Sequence, residues 1–62
     1  MTEYRAYTVG LEGRLVSYEQ MTCPNDAGAV AEARQLQQLL PKHDMELWTG
    51  GRLVMRLARL QH

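Results

Sequence analysis

Apolar and polar residues alternate in four short stretches of the chain and follow a helical spacing in a fifth. The alternating stretches are rich in aromatic, β-branched and long aliphatic residues, which is typical of β-strands; they cover 4–9, 14–21, 45–49 and 52–57. Between the second and the third of these, apolar residues recur every three or four positions, as they do on one face of a helix. The pattern predicts two β-hairpins with one helix between them.

The two hairpins are expected to turn in the same way, because the tetrapeptide Gly-Arg-Leu-Val occurs at 13–16 and again at 51–54. A three-residue loop followed by a bulge requires a left-handed residue at its last position, which glycine adopts without strain. We therefore predict positive φ angles at Gly13 and Gly51.

The register of the second hairpin has two candidates. A two-residue loop would pair Trp48 with Leu53, whereas a three-residue loop pairs Leu47 with Leu53. We favour the three-residue loop, because it separates the side chains into two sets that a one-residue slip would mix. The set expected beneath the helix is Met45, Leu47, Leu53, Met55 and Leu57. The set expected on the opposite face is Glu46, Trp48, Arg52, Val54 and Arg56.

In the first hairpin, the same register pairs Val9 with Leu15 and Tyr7 with Ser17, and it places Leu15 beneath the helix. The residues expected on the opposite face are Ala6, Thr8, Val16 and Tyr18. Since one helix covers only one face of a sheet, the apolar groups on that opposite face are expected to stay uncovered.

The helix is predicted to start near Asn25 and to end at or before Leu40. Asn25 is a preferred capping residue, and Asp26 suits the positive end of the helix dipole. Pro41 favours an end at the preceding residue. The apolar stripe is formed by Ala29, Val30, Ala33, Leu36 and Leu40. Within it, Ala33 and Leu36 are expected to be deeply buried. The polar side, expected to face solvent, is Glu32, Arg34, Gln35, Gln37 and Gln38.

These elements predict an α+β fold of ββαββ order, in which the helix covers one face of a four-stranded, mainly antiparallel sheet. The 62 residues form a single domain, 1–62, and a chain of this size buries only about 60% of its unfolded surface. Small domains commonly add a disulfide, a metal or a partner subunit. Cys23 is the only cysteine, and with His43 and His62 it lacks the paired spacing of a metal site. A homodimer is the stabilising contact that we expect.

Charge and hydropathy narrow the class of protein. The formal net charge is zero, which disfavours strong attraction to nucleic acid. The sequence contains neither a signal-peptide core nor an apolar run long enough to span a membrane. A single unpaired cysteine is typical of a cytoplasmic protein. We therefore expect a cytoplasmic protein that contacts no membrane.

Three segments carry a resemblance that extends over 4–57: the first Gly-Arg-Leu-Val, the Asn-Asp-Ala at 25–27, and Glu-Leu-Trp-Thr-Gly-Gly-Arg-Leu-Val at 46–54. Together they are similar to short alphaproteobacterial proteins of ββαββ pattern, whose function is not established. The resemblance implies this fold and a bacterial origin. Its motifs are structural, so it implies no catalytic or binding residue.

The residues indicate no catalytic chemistry. His43 and Asp44 are adjacent, so their side chains would point to different sides of an extended segment, and no nucleophile accompanies them. Cys23 has neither a histidine nor a second cysteine beside it, which favours a buried or capping role. The glycines lack the spacing of a phosphate-binding loop. We expect a protein without enzymatic activity, cofactor or metal.

The strongest candidate site is an interaction surface on the face opposite the helix. Trp48 would lie opposite Arg52, within reach of cation–π stacking, and aromatic residues and arginine are enriched in protein contacts. The candidate residues are Tyr18, Trp48, Arg52, Val54 and Arg56. We expect a homodimeric protein-interaction or regulatory module. The alternative is a small nucleic-acid-binding regulator that uses the basic second hairpin. Its candidate residues are Arg52 and Arg56 of the hairpin and Arg59, which follows the hairpin in the sequence.

Overall fold

The computed structural model describes residues 1–60, in which two β-hairpins flank one α-helix. The strands are β1 (Thr2–Val9), β2 (Leu15–Cys23), β3 (Asp44–Thr49) and β4 (Arg52–Leu57), and the helix is α1 (Asp26–Leu39). A short 3₁₀ turn at Leu11–Gly13 closes the first hairpin. The order is ββαββ, which confirms the predicted α+β fold.

The four strands form one antiparallel sheet in the order β2-β1-β3-β4. β1 and β3 lie in the centre, and β2 and β4 lie at the two edges. The helix packs on one face and contacts all four strands. The central strands supply most of the buried side chains beneath it: Tyr4, Ala6, Thr8, Met45 and Leu47. The opposite face, called the open face below, has no helix over it within residues 1–60.

The helix begins and ends where the sequence predicts. The side chain of Asn25 accepts a hydrogen bond from the backbone N–H of Gly28 at 2.9 Å, which satisfies one of the donors left free in a first helical turn. At the other end, the N–H of Leu40 donates to the carbonyl of Gln37 at 3.0 Å, just before Pro41. Within residues 1–60, no helix is long and apolar enough to cross a membrane.

Small residues position the helix on the sheet. Ala29 and Ala33 are fully buried, and their single methyl groups let the helix backbone approach the strands closely. Glu32 and Gln35 are exposed, as predicted. Leu36 is only partly buried, so the prediction that it lies deep in the core is wrong. The line of closest contact follows every fourth residue from Ala29, and Leu36 lies to one side of that line.

Gln37 is a buried polar residue of the helix, and the prediction that it faces solvent is wrong. Only 3% of it is exposed. Its side-chain Nε2 donates to the carbonyl of Leu57 at 3.2 Å and to the carbonyl of Ala58 at 2.6 Å. These bonds satisfy an amide that burial would otherwise leave without a partner. They also attach the end of β4 to the helix.

The pairing between β1 and β3 decides which side of β1 faces the helix. Ala6 lies directly beside Leu47 in the next strand, so Ala6 and Thr8 are buried beneath the helix. The prediction that these two residues lie on the opposite face is therefore wrong. Because side chains alternate along a strand, Val9 and its partner Leu15 lie on the open side. Leu15 is exposed and is not covered by the helix.

A bulge in β2 places Tyr18 on the open face. Val16 is an extra residue that shifts the pairing of β2 with β1 by one position. As a result, Tyr7 pairs with Tyr18 and not with Ser17. Tyr18 is on the open face, as predicted, and Tyr7 lies beside it there.

The second hairpin combines the two registers considered for it. Its loop has two residues, Gly50 and Gly51, so Trp48 pairs with Leu53. Val54 is then an extra residue in β4, and the pairing moves on by one position after it. The predicted three-residue loop is wrong, because the irregularity lies inside β4 and not in the turn.

The two-residue turn changes the side on which three β4 residues lie, and the bulge returns the residues after Val54 to their predicted sides. Leu53 is on the open face opposite Trp48, not beneath the helix. Val54 packs against the hydrophobic core, and Arg52 extends to the start of the helix. The other residues predicted on the helix side are found there: Met45, Leu47, Met55 and Leu57.

The turn glycines agree with the prediction at one hairpin only. Gly13 has a φ of 73°, as predicted, but in the second hairpin it is Gly50, at 59°, that has a positive φ. Gly51 has an ordinary φ, so the prediction for Gly51 is wrong. A positive φ at the first of two central residues alone is the pattern of a type II′ turn.

This turn yields a stability prediction with a control in the same loop. Gly50→Ala is expected to lower the free energy of unfolding by about 1–2 kcal/mol, because an L-residue resists the left-handed region. Gly51→Ala should change it by less than about 0.5 kcal/mol, since a Cβ at Gly51 would have no neighbour within 4 Å. Urea unfolding of both variants measures the difference, and equal losses would contradict this assignment of the turn.

Candidate interaction surface

Two rows of side chains cross the open face from one edge strand to the other. In the first row, neighbouring strands contribute Tyr18, Tyr7, Glu46 and Arg56. In the second row, they contribute Gln20, Arg5, Trp48 and Leu53. Directly opposed residues have Cβ atoms about 4.5–5.5 Å apart, so each row is a line of neighbouring side chains. Tyr18, Trp48 and Arg56 are thus brought together on this face, as the sequence predicts.

The first row contains an aromatic pair and an ion pair. The rings of Tyr7 and Tyr18 have centroids 5.9 Å apart at an interplanar angle of 36°, within the usual range for aromatic pairs. Nη2 of Arg56 lies 2.6 Å from Oε2 of Glu46. The two charged residues are directly opposed in β3 and β4. The hydrogen bond from Arg56, followed by one from Trp48, lowers the pKa of the Glu46 carboxyl.

Trp48 is held in place by the same carboxylate. Its indole Nε1 donates to Oε1 of Glu46 at 3.2 Å, so its polar atom is satisfied within the chain. Arg5 lies on one side of it and Leu53 on the other. The centre of the open face is therefore an ordered network in which Glu46 links Trp48 to Arg56.

Arg52 does not belong to this surface. Its Nη2 lies 3.3 Å from Oδ2 of Asp26, and the Tyr4 hydroxyl donates to Oδ1 of the same carboxylate at 2.6 Å. The bond from Tyr4 and the charge of Arg52 lower the pKa of Asp26. Arg52 thus attaches β4 to the first residue of the helix. The predicted stacking of Arg52 on Trp48 is wrong, because Leu53 occupies the position opposite Trp48.

The candidate residues also included Val54, which packs against the core. Five residues of the open face were not among the candidates: Arg5, Tyr7, Gln20, Glu46 and Leu53. Arg5 and Tyr7 alternate with buried residues of β1, and this alternation was the available signal. It does not tell which of the two faces the helix covers, since that depends on the pairing of β1 with β3.

One end of the open face forms a shallow depression of about 870 Å³. Tyr7, Trp48 and the pair Glu46 and Arg56 contribute to its lining, and Lys42 lies at its border. Acidic and basic groups both line it, so neither sign of charge dominates. Such a surface suits contact with a protein of mixed charge better than contact with a polyanion.

The candidates for acid–base or metal chemistry are not assembled into a site. Nδ1 of His43 is buried without a hydrogen bond to residues 1–60, while Asp44 accepts a bond from the N–H of Arg59 at 2.8 Å. Among these same residues, no three His, Cys, Asp or Glu side chains cluster as metal ligands would. His62 lies outside the described residues.

Cys23 is placed as an inert thiol. It is buried, and its Sγ lies 3.7 Å from Oε2 of Glu32. Burial, together with the negative charge of Glu32, raises the pKa of the thiol. Because the thiolate is the reactive form, this environment disfavours nucleophilic or redox chemistry.

Exposed apolar side chains collect on the edge strand β2. Leu15, Val16 and Tyr18 are each more than half exposed, and Glu19 is the only formal charge in the strand. The outer edge of β2 has no neighbouring strand within residues 1–60. Its outward backbone N–H and C=O groups are therefore able to pair with another strand.

A groove of about 470 Å³ lies on the helix side of β2. Met21, Leu36 and Leu39 supply its apolar lining, with Glu19 and Glu32 at its border. Leu39 is 75% exposed. The apolar stripe predicted for the helix did not contain Leu39, so this groove was not predicted from the sequence.

The other edge of the sheet is less suited to pairing. β4 carries Arg52 and Arg56 and is interrupted by its bulge at Val54. Charged side chains and bulges are the features by which proteins discourage pairing at a sheet edge. The two edges thus differ, and β2 is the one that can accept a further strand.

No protein-family model matches the chain, and no curated protein or solved structure matches it either. The resemblance to short alphaproteobacterial proteins stays a prediction.

Proposed function

We propose that the protein is a homodimeric protein-interaction module without enzymatic activity, whose two copies join at the β2 side of the sheet. The observation that supports this is the concentration of exposed apolar side chains on β2: Leu15, Val16 and Tyr18. A contiguous apolar patch is typical of a protein-contact site. A two-fold contact between the two β2 edges brings a strand of the second copy beside Tyr18 of this patch.

The small core gives a second argument for association. Three of the buried core residues are alanines, Ala6, Ala29 and Ala33, which contribute little apolar area. A domain of this length commonly needs stabilisation beyond its own core. A subunit contact on the β2 side would bury further apolar area.

The open face is the surface that the dimer offers to a protein partner. Tyr7, Trp48 and Arg56 lie there, and these residue types are enriched among the residues that dominate protein-binding energy. Trp48 and Arg56 are both held by Glu46. Because these hydrogen bonds restrict the two side chains, binding would cost less conformational entropy.

The alternative of a nucleic-acid-binding regulator has weaker support. Arg52 is paired with Asp26, and Arg56 is paired with Glu46, so two of the three arginines that it requires are already beside a carboxylate. We therefore propose contact with protein. We further propose a cytoplasmic location, in which the single thiol, Cys23, remains reduced.

Sedimentation analysis tests the dimer. The wild-type protein is expected to sediment as a dimer at micromolar concentration. The double variant Leu15→Lys/Tyr18→Lys should shift towards monomer, because lysines on an edge strand discourage its pairing with another strand. The matched control is Leu53→Lys, which changes an exposed leucine on the far side of the open face and should leave the dimer intact.

Circular dichroism of each variant distinguishes a folded monomer from an unfolded chain, since folding and association are linked in small dimers. A wild-type protein that stays monomeric at high micromolar concentration would contradict the proposal. So would a Leu53→Lys control that dissociates as readily as the double variant.

A further inference from the structure

We infer that two copies of the chain join strand to strand through β2, antiparallel and centred on Gln20, so that their sheets form one eight-stranded sheet. This inference rests on the proposed dimer and specifies its geometry and register. Three features support strand pairing: β2 is nine residues long, its outer edge has no neighbour within residues 1–60, and Glu19 is its only formal charge. Long edges with few charges readily accept a further strand.

The bulge in β2 limits the possible registers. Val16 interrupts the regular strand, so the segment that can pair continuously is 17–23. A two-fold axis at Gln20, the middle of this segment, pairs all of it with the same segment of the second copy. An axis at any other residue pairs a shorter segment.

The charge of Glu19 supports the same register. An axis at Glu19 would place the two Glu19 carboxylates directly opposite each other, which is destabilising. With the axis at Gln20, Glu19 lies opposite Met21 of the second copy. The two Gln20 side chains, which are neutral, then face each other on the open side.

The groove beside β2 gains apolar neighbours in this arrangement. Met21 is on the helix side of β2, next to Leu36 and Leu39. A strand added at the edge places its own Met21 on the same side, adjacent to this groove. The exposed side chain of Leu39 is thereby brought beside apolar groups of the second copy.

The arrangement also joins the two open faces. A two-fold axis perpendicular to the sheet keeps both helices on one side and both open faces on the other. The two Trp48 side chains would be five strand spacings apart, about 24 Å. A protein partner could therefore contact both copies on one continuous surface.

Disulfide trapping tests the register. In the inferred dimer, the two residues at position 20 are directly opposed, with Cα atoms about 4.5–5.5 Å apart, a distance that a disulfide spans. The variant Gln20→Cys is therefore expected to form a covalent dimer under mild oxidation, detected by mass and by non-reducing electrophoresis. The wild type, with its buried Cys23, measures the background.

The matched control is Thr22→Cys, an exposed position on the same face of the same strand. In the inferred register, the two residues at position 22 are offset by four residues, about 13 Å along the strands. Because facing thiols react at a high effective concentration, Gln20→Cys should crosslink at least about tenfold faster than Thr22→Cys.

The outcomes separate this inference from the proposed function. Selective crosslinking of Gln20→Cys supports the register. A wild-type dimer in which Gln20→Cys links no faster than Thr22→Cys would overturn the strand-to-strand geometry and leave the dimer standing. Crosslinking by Leu53→Cys instead would show face-to-face packing and overturn the inference. A monomeric wild type would overturn the proposed function and this inference together.

Discussion

Leu47→Ala is expected to lower the free energy of unfolding by about 2–5 kcal/mol. Leu47 is only 1% exposed and lies in the central strand β3, with Ala6 on one side and Met55 on the other. The alanines of the same core, Ala6, Ala29 and Ala33, are too short to fill the cavity that its loss would leave. A small domain has a total stability near the lower end of the usual range, about 5 kcal/mol. The expected loss is therefore a large part of the total.

The matched control is Leu53→Ala, which makes the same change in the partner strand of the same hairpin. Leu53 is 44% exposed, so its replacement should cost less than about 1 kcal/mol. Urea unfolding at one fixed protein concentration measures both variants, because association would make stability depend on concentration. Similar losses for Leu47 and Leu53 would contradict the register of β4 found here.

Gln37→Glu is expected to lower the free energy of unfolding by about 3 kcal/mol or more at pH 7. The new carboxylate would be buried against the carbonyl oxygens of Leu57 and Ala58, which now accept bonds from the amide of Gln37. It could donate to neither carbonyl, and its charge would lie next to two partial negative charges. Unfolding monitored by circular dichroism at a series of pH values measures the effect.

The same variant should show a characteristic pH dependence. Burial and the carbonyl oxygens would raise the pKa of a carboxyl at position 37 in the folded state above its unfolded value, about 4.3. The variant is therefore most stable below the unfolded pKa. It loses this stability as the pH rises through the raised folded pKa. Relative to wild type, Gln37→Glu should be least destabilised in acid.

Gln38→Glu is the control for this experiment. Gln38 is exposed on the same helix, so its replacement should change stability by less than about 0.5 kcal/mol at any of these pH values. If Gln37→Glu behaved like Gln38→Glu, the buried amide would not attach the helix to β4.

Local sequence patterns were sufficient to predict the elements. The alternation of apolar residues gave the four strands, and Asn25 and Pro41 gave the two ends of the helix. These signals act between residues that are close in the chain: a capping side chain bonds to the next turn, and a proline excludes the helical conformation at the residue before it. The ββαββ order follows from them.

The registers could not be predicted in the same way. Val16 and Val54 are the bulged residues, yet both are β-branched residues that fit a regular strand equally well. A bulge is favourable only where the neighbouring strand and the core accept it. The repeated Gly-Arg-Leu-Val suggested that both irregularities lie in the turns, and they lie inside the strands.

The candidate surface was predicted only in part for this reason. Trp48 lies on the open face because side chains alternate regularly along β3. Arg56 lies there because the bulge in β4 restores the side that was predicted for it. Arg52 and Val54 were assigned to it wrongly, because the two-residue turn places them on the helix side. Tyr18 is on that face because of the bulge at Val16, which the sequence pattern does not predict.

The sequence by itself determined which segments form strands and helix, where the helix is capped, and that aromatic and arginine side chains alternate along the sheet. Only the tertiary structure decided which face of β1 lies beneath the helix, that Gln37 is buried, and that the exposed apolar residues collect on β2. The physical reason is the range of the interactions. Caps and alternation arise within a few residues, whereas strand pairing and burial depend on contacts between residues far apart in the chain, such as Ala6 with Leu47.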